Sequence, residues 1–314
     1  MLAVLALSAV ASIALPGGPP VGMDYVAYDP AHRRVWVPAG NTGRVDVIET
    51  ATNKLTPIDG FVTRASTKQG RPAMGPSSVT IGEGTAWIGS RGDDSLCAFD
   101  AKTLARRSCT KLPSMPDGIA YVGVTREVWI TTPAHDSLTI VDVQGELVQA
   151  EVKLPGAPEG YAVDEQHGVF YTNLEDKDQT LAIDVRSRKV VSVWPAGCGA
   201  DGPRGLALDV ERHLLLVACT DGVRSRDLAH GGKLLGRLAT GKGVDEIAYR
   251  SGTLYIASSE DGMLTVANVA DDGELKKTLV RPTSKGARNA VVDEHGTAYV
   301  PDGTAGRILV VPAR

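Results

Sequence analysis

Residues 22–40 read GMDYVAYDPAHRRVWVPAG, and this arrangement of turns and strands recurs six more times along the chain. Each copy begins with a Gly- or Pro-containing turn and continues as a short apolar strand that often ends in Asp. A polar turn then leads into a second strand, which usually carries an aromatic residue. The other copies begin at Pro76, Pro116, Pro158, Pro203, Val244 and Ala287. Because such repetition marks a repeat architecture, the repeat decides the fold.

The spacing of the copies identifies the type of repeat. The apolar residues that anchor the first strands are Val26, Val79, Ile119, Tyr161, Leu206, Ile247 and Ala290. Their intervals are 53, 40, 42, 45, 41 and 43 residues, and most copies continue into a third and a fourth strand. Four short strands in each unit of this length are typical of a β-propeller blade. We therefore predict an all-β, seven-bladed propeller of four-stranded antiparallel blades, forming one domain over residues 12–314.

The N-terminus suggests two different roles. Residues 1–11, MLAVLALSAVA, resemble the apolar region and cleavage site of a secretory signal, although no Lys or Arg precedes them. Residues 9–18, AVASIALPGG, instead resemble the fourth strands, and the seventh copy stops after its third strand. We predict that residues 1–11 are a signal-peptide remnant of an exported, periplasmic or secreted protein. A short strand over residues 12–15 can still close the ring and remove two open sheet edges.

The four cysteines agree with export. Cys97 and Cys109 flank a predicted turn and could face each other across a hairpin. Cys198 lies in a Gly-rich loop, and Cys219 ends an apolar strand. Two structural disulfides fit an oxidising compartment, and four buried free thiols are the alternative.

Composition excludes several classes of protein. The chain has 33 basic and 37 acidic residues, interspersed, and a formal charge of −4, so it has no basic face and nucleic-acid binding is disfavoured. The apolar N-terminal run is too short to span a bilayer. Motifs for a nucleophile elbow, a phosphate-binding loop, a dinucleotide fingerprint or covalent haem are absent from the sequence. We expect a monomer without covalent Ser or Cys catalysis.

A ring of charged residues is the most informative candidate site. The residue two positions before each anchor lies at the turn into the innermost strand, so these residues should meet at one mouth of the central channel. They are Asp24, Ser77, Asp117, Glu159, Arg204, Asp245 and Arg288. Six of these seven are charged, although the turns require only a small neighbouring residue.

Two interpretations of the ring remain open. Asp24, Asp117 and Glu159 form an acidic arc that could hold Ca²⁺ or Mg²⁺, as acidic turns do in the distantly similar gluconolactonase-type propellers. A metal there could polarise an ester or lactone carbonyl and acidify a bound water. Alternatively, Arg204 between Glu159 and Asp245, and Arg288 between Asp245 and Asp24, would neutralise the ring without any ligand.

Loops between the second and third strands should surround this mouth. They carry Asn41, Arg91, Asp93, His135, Asp136, Asn173, Glu175, Asp221, Glu260 and Asp302. His135 is the candidate general base, and Asn173 and Glu175 are candidate ligand-binding residues. The first interval, of 53 residues, is the longest because of an insertion over residues 61–76. This insertion carries Arg64, Lys68 and Arg71, and it could cover the mouth.

The strand motifs VWVP, VWIT, FYTN, LYIA and AYVP resemble the signature of the YVTN-repeat, YncE-like β-propeller family. Longer stretches are similar as well, including PEGYAVDEQHGVFYTNLED (158–176) and PTSKGAR (282–288), and the resemblance covers essentially the whole chain. It implies an exported seven-bladed propeller and little about chemistry, because propellers bind, hydrolyse or act as scaffolds.

Two functions from different classes follow from the sequence. The first is a non-catalytic exported propeller that binds a small molecule, peptide or protein partner over the charged mouth. The second is a divalent-metal-dependent hydrolase or lyase, similar to a lactonase or esterase, with Asp24, Asp117 and Glu159 as metal ligands.

Overall fold

The protein is a closed ring of seven sheets in the computed structural model, which describes residues 10–67, 69–70 and 72–312. Each sheet has four antiparallel strands, which follow chain order from the axis outward. The outermost strand of the last sheet comes from the N-terminus. This confirms the predicted seven-bladed propeller. Residues 1–9, which include most of the predicted signal-peptide remnant, lie outside the described part of the chain.

The strands have the following bounds. Blade 1 contains Ala27–Asp29, Arg34–Ala39, Arg44–Glu49 and Leu55–Ile58, and blade 2 contains Pro76–Gly82, Thr85–Ser90, Ser95–Asp100 and Arg106–Lys111. Blade 3 contains Ile119–Val122, Glu127–Thr132, Ser137–Asp142 and Leu147–Lys153, and blade 4 contains Pro158–Asp164, Val169–Leu174, Gln179–Asp184 and Lys189–Pro195. Blade 5 contains Pro203–Asp209, Leu214–Cys219, Gly222–Asp227 and Lys233–Ala239, and blade 6 contains Ile247–Arg250, Thr253–Ser258, Met263–Val269 and Leu275–Pro282. Blade 7 contains Val291–Val292, Ala298–Asp302, Arg307–Val311 and Ala11–Ala14.

Helical structure is limited to single turns. Three short 3-10 helices, at Gly40–Thr42, Pro133–His135 and Gly199–Asp201, lie in connections between strands of the described residues. No helix in this part of the chain is long and apolar enough to cross a membrane.

Hydrophobic clusters fill every junction between consecutive blades. Trp36 of blade 1 packs with Ile88 and Phe99 of blade 2, and the rings of Trp129 and Phe170 lie 5.0 Å apart between blades 3 and 4. Along the strands, apolar residues alternate with polar ones. Each sheet therefore has an apolar face, which is buried against the next blade. This continuous packing fixes the positions at which the inner strands meet the axis.

The N-terminal segment closes the ring. Ala11–Ala14 pairs antiparallel with Arg307–Val311, with Ala11 opposite Val310 and Ala14 opposite Arg307. Leu15, which follows this strand, is 5% exposed within the cluster that joins blades 7 and 1. The predicted closing strand is confirmed, and it begins at Ala11, one residue before the predicted start of the domain.

Both predicted disulfides form. Cys97 and Cys109 are directly opposite each other on adjacent strands of blade 2, and Cys198 is bonded to Cys219 of blade 5. No free cysteine occurs in the described residues. Two structural disulfides agree with an oxidising compartment.

Candidate functional site

The turns that enter the innermost strands bring distant residues together at one end of the channel. Asp24 contacts Arg91 and Arg288, which are 67 and 264 positions away in the sequence. Tyr25 Oη lies 3.2 Å from Asp117 Oδ2 and 3.5 Å from Glu159 Oε1. The ring positions of blades 1, 3, 4, 6 and 7 are therefore neighbours, as the repeat spacing predicts.

Two arginines neutralise three carboxylates of this mouth. Arg288 donates to Asp24 Oδ1 at 2.9 Å and lies 3.1 Å from Asp245 Oδ2, which is the pairing expected from ring order. Arg91 comes from the surrounding loops and bridges Asp24 and Asp117, with 2.8 Å between its Nη2 and Asp24 Oδ2. The side chains of Asp24 and Asp117 are 16% and 13% exposed, so these ion pairs are shielded from solvent.

Arg204 makes a different pair from the one that ring order suggests. Its guanidinium donates to Glu175 and, at 3.2 Å, to the carbonyl oxygen of Asp201. Glu175 was predicted to be a ligand-binding residue, and it contributes here by neutralising Arg204. Glu159 is consequently left without the partner that Arg204 was expected to supply.

Glu159 is the ring carboxyl without a basic partner. No Lys, Arg or His of the described residues forms an ion pair with it, and the hydroxyl of Tyr25 is 3.5 Å from Oε1. Burial raises its pKa well above the ordinary value, and the negative charges of Asp117, Asp245, Asp24 and Glu175 raise it further. A positive group placed here would meet a carboxyl that forms no ion pair within the described residues.

Tyr25 fills much of the channel. Its side chain starts on blade 1, stacks on Tyr161 of blade 4 with 5.8 Å between ring centroids, and accepts a 3.4 Å hydrogen bond from the Gly160 amide. Glycines permit two close approaches here. A Cβ atom at Gly118 would lie 2.7 Å from the Tyr161 ring, and Gly160 has φ +65° with the Arg204 carbonyl oxygen 2.5 Å from its Cβ position. A larger residue at Gly118 would collide with the Tyr161 ring, and one at Gly160 would collide with the backbone of blade 5.

Glu246 and Asn289 form the deeper part of the site. Asn289 Nδ2 donates to the Asp24 carbonyl oxygen at 2.8 Å, and its Oδ1 accepts from the Glu246 amide at 3.2 Å. Sequence reasoning missed Tyr25, Glu246 and Asn289, because it considered only the residue two positions before each anchor. The position directly before the anchor is the missing signal, since it is glycine in blades 3, 4 and 5 and a large polar residue in blades 1, 6 and 7.

The remaining predicted residues have other positions. Ser77 is buried and lies 3.5 Å from the Gly89 carbonyl oxygen of its own blade. Asn173 is fully buried, donates to the Arg204 carbonyl oxygen and accepts from Thr180 Oγ1 at 2.7 Å. It therefore joins blades 4 and 5. His135 is exposed at the end of a 3-10 helix, and Lys153 Nζ lies 3.3 Å from its carbonyl oxygen.

The insertion over residues 61–76 lies beside the charged mouth. Arg64 pairs with Asp94 at 2.9 Å and donates to the carbonyl oxygen of Arg91 at 2.7 Å. Lys68 and Arg71 lie outside the described residues. The predicted location on the ring face is confirmed, and its role as a cover stays a prediction.

The acidic arc is occupied by contacts within the protein. Both oxygens of Asp24 face guanidinium groups, and Asp117 lies between Arg91 and Tyr25. No cluster of three or more His, Cys, Asp or Glu side chains suited to a metal ion is found in residues 10–67, 69–70 and 72–312. Each oxygen of Asp24 and Asp117 already contacts a guanidinium or hydroxyl group, so this geometry favours the ion-pair interpretation over the metal one.

The buried carboxyls make stability depend on pH. Burial and like charges raise the pKa values of Asp117, Glu159 and Glu246, and that of Asp245 rises from 3.8 to about 6 despite Arg288. The native state then binds these protons more tightly than the unfolded chain does. Their contribution to stability is complete at low pH and is lost as the pH rises through the native pKa values.

We expect the free energy of unfolding to fall as the pH rises from 3.8 through about 6, as measured by urea denaturation at a series of pH values. Below this window the pKa of Asp209, which is lowered in the native state, makes the free energy of unfolding decrease as the pH falls. Glu246→Gln should flatten the decline, since it removes one titrating group. Equal slopes for this variant and the wild type would contradict the assignment.

Comparison with known proteins supports the fold and nothing finer. No protein-family model matches the chain, and no curated protein matches it either. A chain of Kuenenia stuttgartiensis hydrazine synthase is similar in structure, with a TM-score of 0.79, 13% identity, and coverage of 96% of this chain and 97% of that one. A streptogramin B lyase structure has a TM-score of 0.76 and 12% identity, with 96% of each chain covered. The structure of the RRP9 WD40 repeats has a TM-score of 0.78 and 10% identity, with 98% of each chain covered.

Proposed function

We propose that this chain is an exported propeller of the YVTN-repeat, YncE-like type that binds a small molecule, peptide or protein partner at its charged channel mouth. The observation that carries the proposal is Glu159, which forms no ion pair with a basic residue of the described part of the chain, whereas Asp24, Asp117 and Asp245 each have an arginine. The two disulfides support export. Propellers of the same fold form part of a mitotic checkpoint complex and of RRP9, which makes a binding role a reasonable starting point.

The arrangement suits binding better than covalent chemistry. A general base needs a reactive partner within hydrogen-bond reach, and the candidate His135 is exposed on a loop of blade 3. The ring arginines and carboxylates are already paired, so they form a preorganised polar rim around the unpaired Glu159. Preorganised groups lose little side-chain entropy when a ligand binds.

The test is ligand-dependent thermal stability. A panel of small molecules and short peptides should contain compounds that raise the melting temperature of the wild type, because a ligand bound only by the native state stabilises it. For those compounds we expect Glu159→Gln to lose the shift and Glu211→Gln to keep it. Glu211 is an exposed carboxylate in the turn after the first strand of blade 5, on the opposite face of the ring. An equal shift in both variants would place binding elsewhere and overturn the proposal.

The alternative function is a divalent-metal-dependent hydrolase or lyase at the same mouth. The acidic arc favours it, and a streptogramin B lyase shares the fold. Elemental analysis for Ca²⁺ and Mg²⁺, with melting curves in the presence and absence of chelator, separates the two functions. Our proposal expects unchanged melting in chelator. Copurifying metal, together with hydrolysis of a lactone or ester that Asp117→Asn abolishes, would favour the enzyme.

A further inference from the structure

An axial cavity lies directly behind the charged mouth. Its volume is about 160 Å³, and its wall includes Asp24, Tyr25, Tyr161, Glu246 and Asn289. These residues come from the inner ends of blades 1, 4, 6 and 7, so the cavity is in the channel itself. The volume exceeds the roughly 10–15 Å³ that one water needs and is smaller than the roughly 300–1,000 Å³ typical of drug-sized ligands. It suits a small ligand or the tip of a longer one.

The cavity contains an acid that the protein leaves unsatisfied. Oε1 of Glu246 is buried and has no hydrogen-bond partner among the described residues. The charged groups that face Glu246 are Asp245, Asp24, Asp117 and Arg288. Arg288 is already shared by Asp24 and Asp245, so it does not neutralise a third carboxylate. A buried carboxylate without a partner is costly, and it must either hold a proton or receive a cation from outside.

Aromatic rings form another part of the wall. Tyr161 stacks on Tyr25, with 5.8 Å between centroids, and also on Phe170, with 6.1 Å, so its faces are taken by other rings and Tyr25 supplies the aromatic face of the cavity. Aromatic faces attract organic cations within about 6 Å, and the attraction increases when water is excluded. They cannot coordinate a hard metal ion, which requires several oxygen ligands. Acid and aromatic surface in one small cavity therefore favour an organic cation.

We propose that this axial cavity binds a small organic ammonium group, with Glu246 as its counter-ion and the ring of Tyr25 as its aromatic contact. This inference rests on the proposed binding function and specifies the chemical class of the ligand. The ammonium belongs to a free amine or to a lysine side chain of a peptide. On binding, the proton of Glu246 passes to the buffer and the ligand cation replaces it. Burial and the neighbouring carboxylates raise the pKa of Glu246, which favours the protonated acid while the cavity is empty.

Isothermal titration calorimetry of the full chain tests the inference. The probes are butylammonium, choline, the uncharged choline isostere 3,3-dimethylbutan-1-ol, and Nα-acetyl-lysine N-methylamide, whose side-chain ammonium is free. We expect the cations to bind and the isostere to bind at least tenfold more weakly. The observed heat should change with the ionisation enthalpy of the buffer, because protons are released. Stronger binding of the lysine derivative than of butylammonium indicates a peptide source, and the reverse order indicates a free amine.

Matched variants separate this inference from the proposed function. We expect Glu246→Gln to weaken cation binding at least tenfold and Glu211→Gln to leave it unchanged. Glu246→Gln should remain folded, since it removes an unpaired buried acid. The comparison of choline with its uncharged isostere uses the wild type alone, so it tests the inference even without this variant. Absence of cation binding by the wild type, or equal binding by Glu246→Gln, overturns the inference. If neutral or anionic compounds still stabilise the protein through Glu159, the proposed function survives that result.

Discussion

Replacing Arg91 with methionine is expected to lower the free energy of unfolding by about 3 kcal/mol, because it leaves two shielded carboxylates without their shared cation. Arg91 bridges Asp24 and Asp117, and Asp24 retains Arg288 while Asp117 retains only the hydroxyl of Tyr25. Methionine keeps most of the side-chain volume, so the loss reports charge rather than packing. Urea denaturation at neutral pH measures the effect.

Arg64 provides the matched control on the same face. Its ion pair with Asp94 is more open to solvent, with 42% and 33% of the side chains exposed. Exposed pairs contribute roughly 0–1 kcal/mol, so Arg64→Met should cost far less than Arg91→Met. Equal losses of stability in the two variants would show that the Arg91 bridge contributes no more than an exposed ion pair.

A second comparison assigns the loss to Asp117. Adding Asp117→Asn to Arg91→Met should restore part of the stability, because the amide carries no charge that needs a partner. The single variant should also recover as the pH falls, since protonation of Asp117 removes the same unpaired charge. Failure of both recoveries would mean that Arg91 acts through packing.

The fold could be predicted from the sequence because it depends on repeated local features. Each blade has the same turn, the same apolar anchor and a length near 42 residues, so one misread copy would not change the architecture. Ring closure was predictable for a similar reason. The last copy lacks its fourth strand, and residues 9–18 resemble a fourth strand in sequence.

The pairing of charges at the mouth was only partly predictable. Ring order correctly placed Arg288 between Asp245 and Asp24. It failed for Arg204, which pairs with Glu175 and also contacts the backbone at Asp201. Repeat spacing gives the position of a Cα atom on the ring, whereas the partner of a long side chain depends on its rotamer and on the shape of nearby loops.

Tyr25 illustrates the same limit. Its place one residue before an anchor gives no indication that the ring crosses from blade 1 to blade 4. Gly118, at the equivalent position of blade 3, leaves room for the Tyr161 ring on which Tyr25 stacks. The channel contents are therefore a property of several blades together, and no single repeat encodes them.

The second large effect is expected at Tyr25. Tyr25→Ala should lower the free energy of unfolding by about 4 kcal/mol, because it removes a ring that is 6% exposed and leaves a cavity beside Tyr161. Tyr25→Phe keeps the ring and loses the hydroxyl contacts with Asp117, Glu159 and the Gly160 amide. Its cost should be about 1–2 kcal/mol, which is the usual penalty for unsatisfied buried polar groups.

The two Tyr25 variants also distinguish packing from ligand recognition. The phenylalanine ring retains an aromatic face, so Tyr25→Phe should bind choline within a few-fold of the wild type, whereas Tyr25→Ala should bind it at least tenfold more weakly. Melting curves establish that each variant is folded before titration. If alanine costs no more stability than phenylalanine, the ring does not fill the channel as the structure shows. If alanine instead binds choline as tightly as the wild type, Tyr25 only fills the channel, and its assignment as the aromatic contact of the cation is wrong.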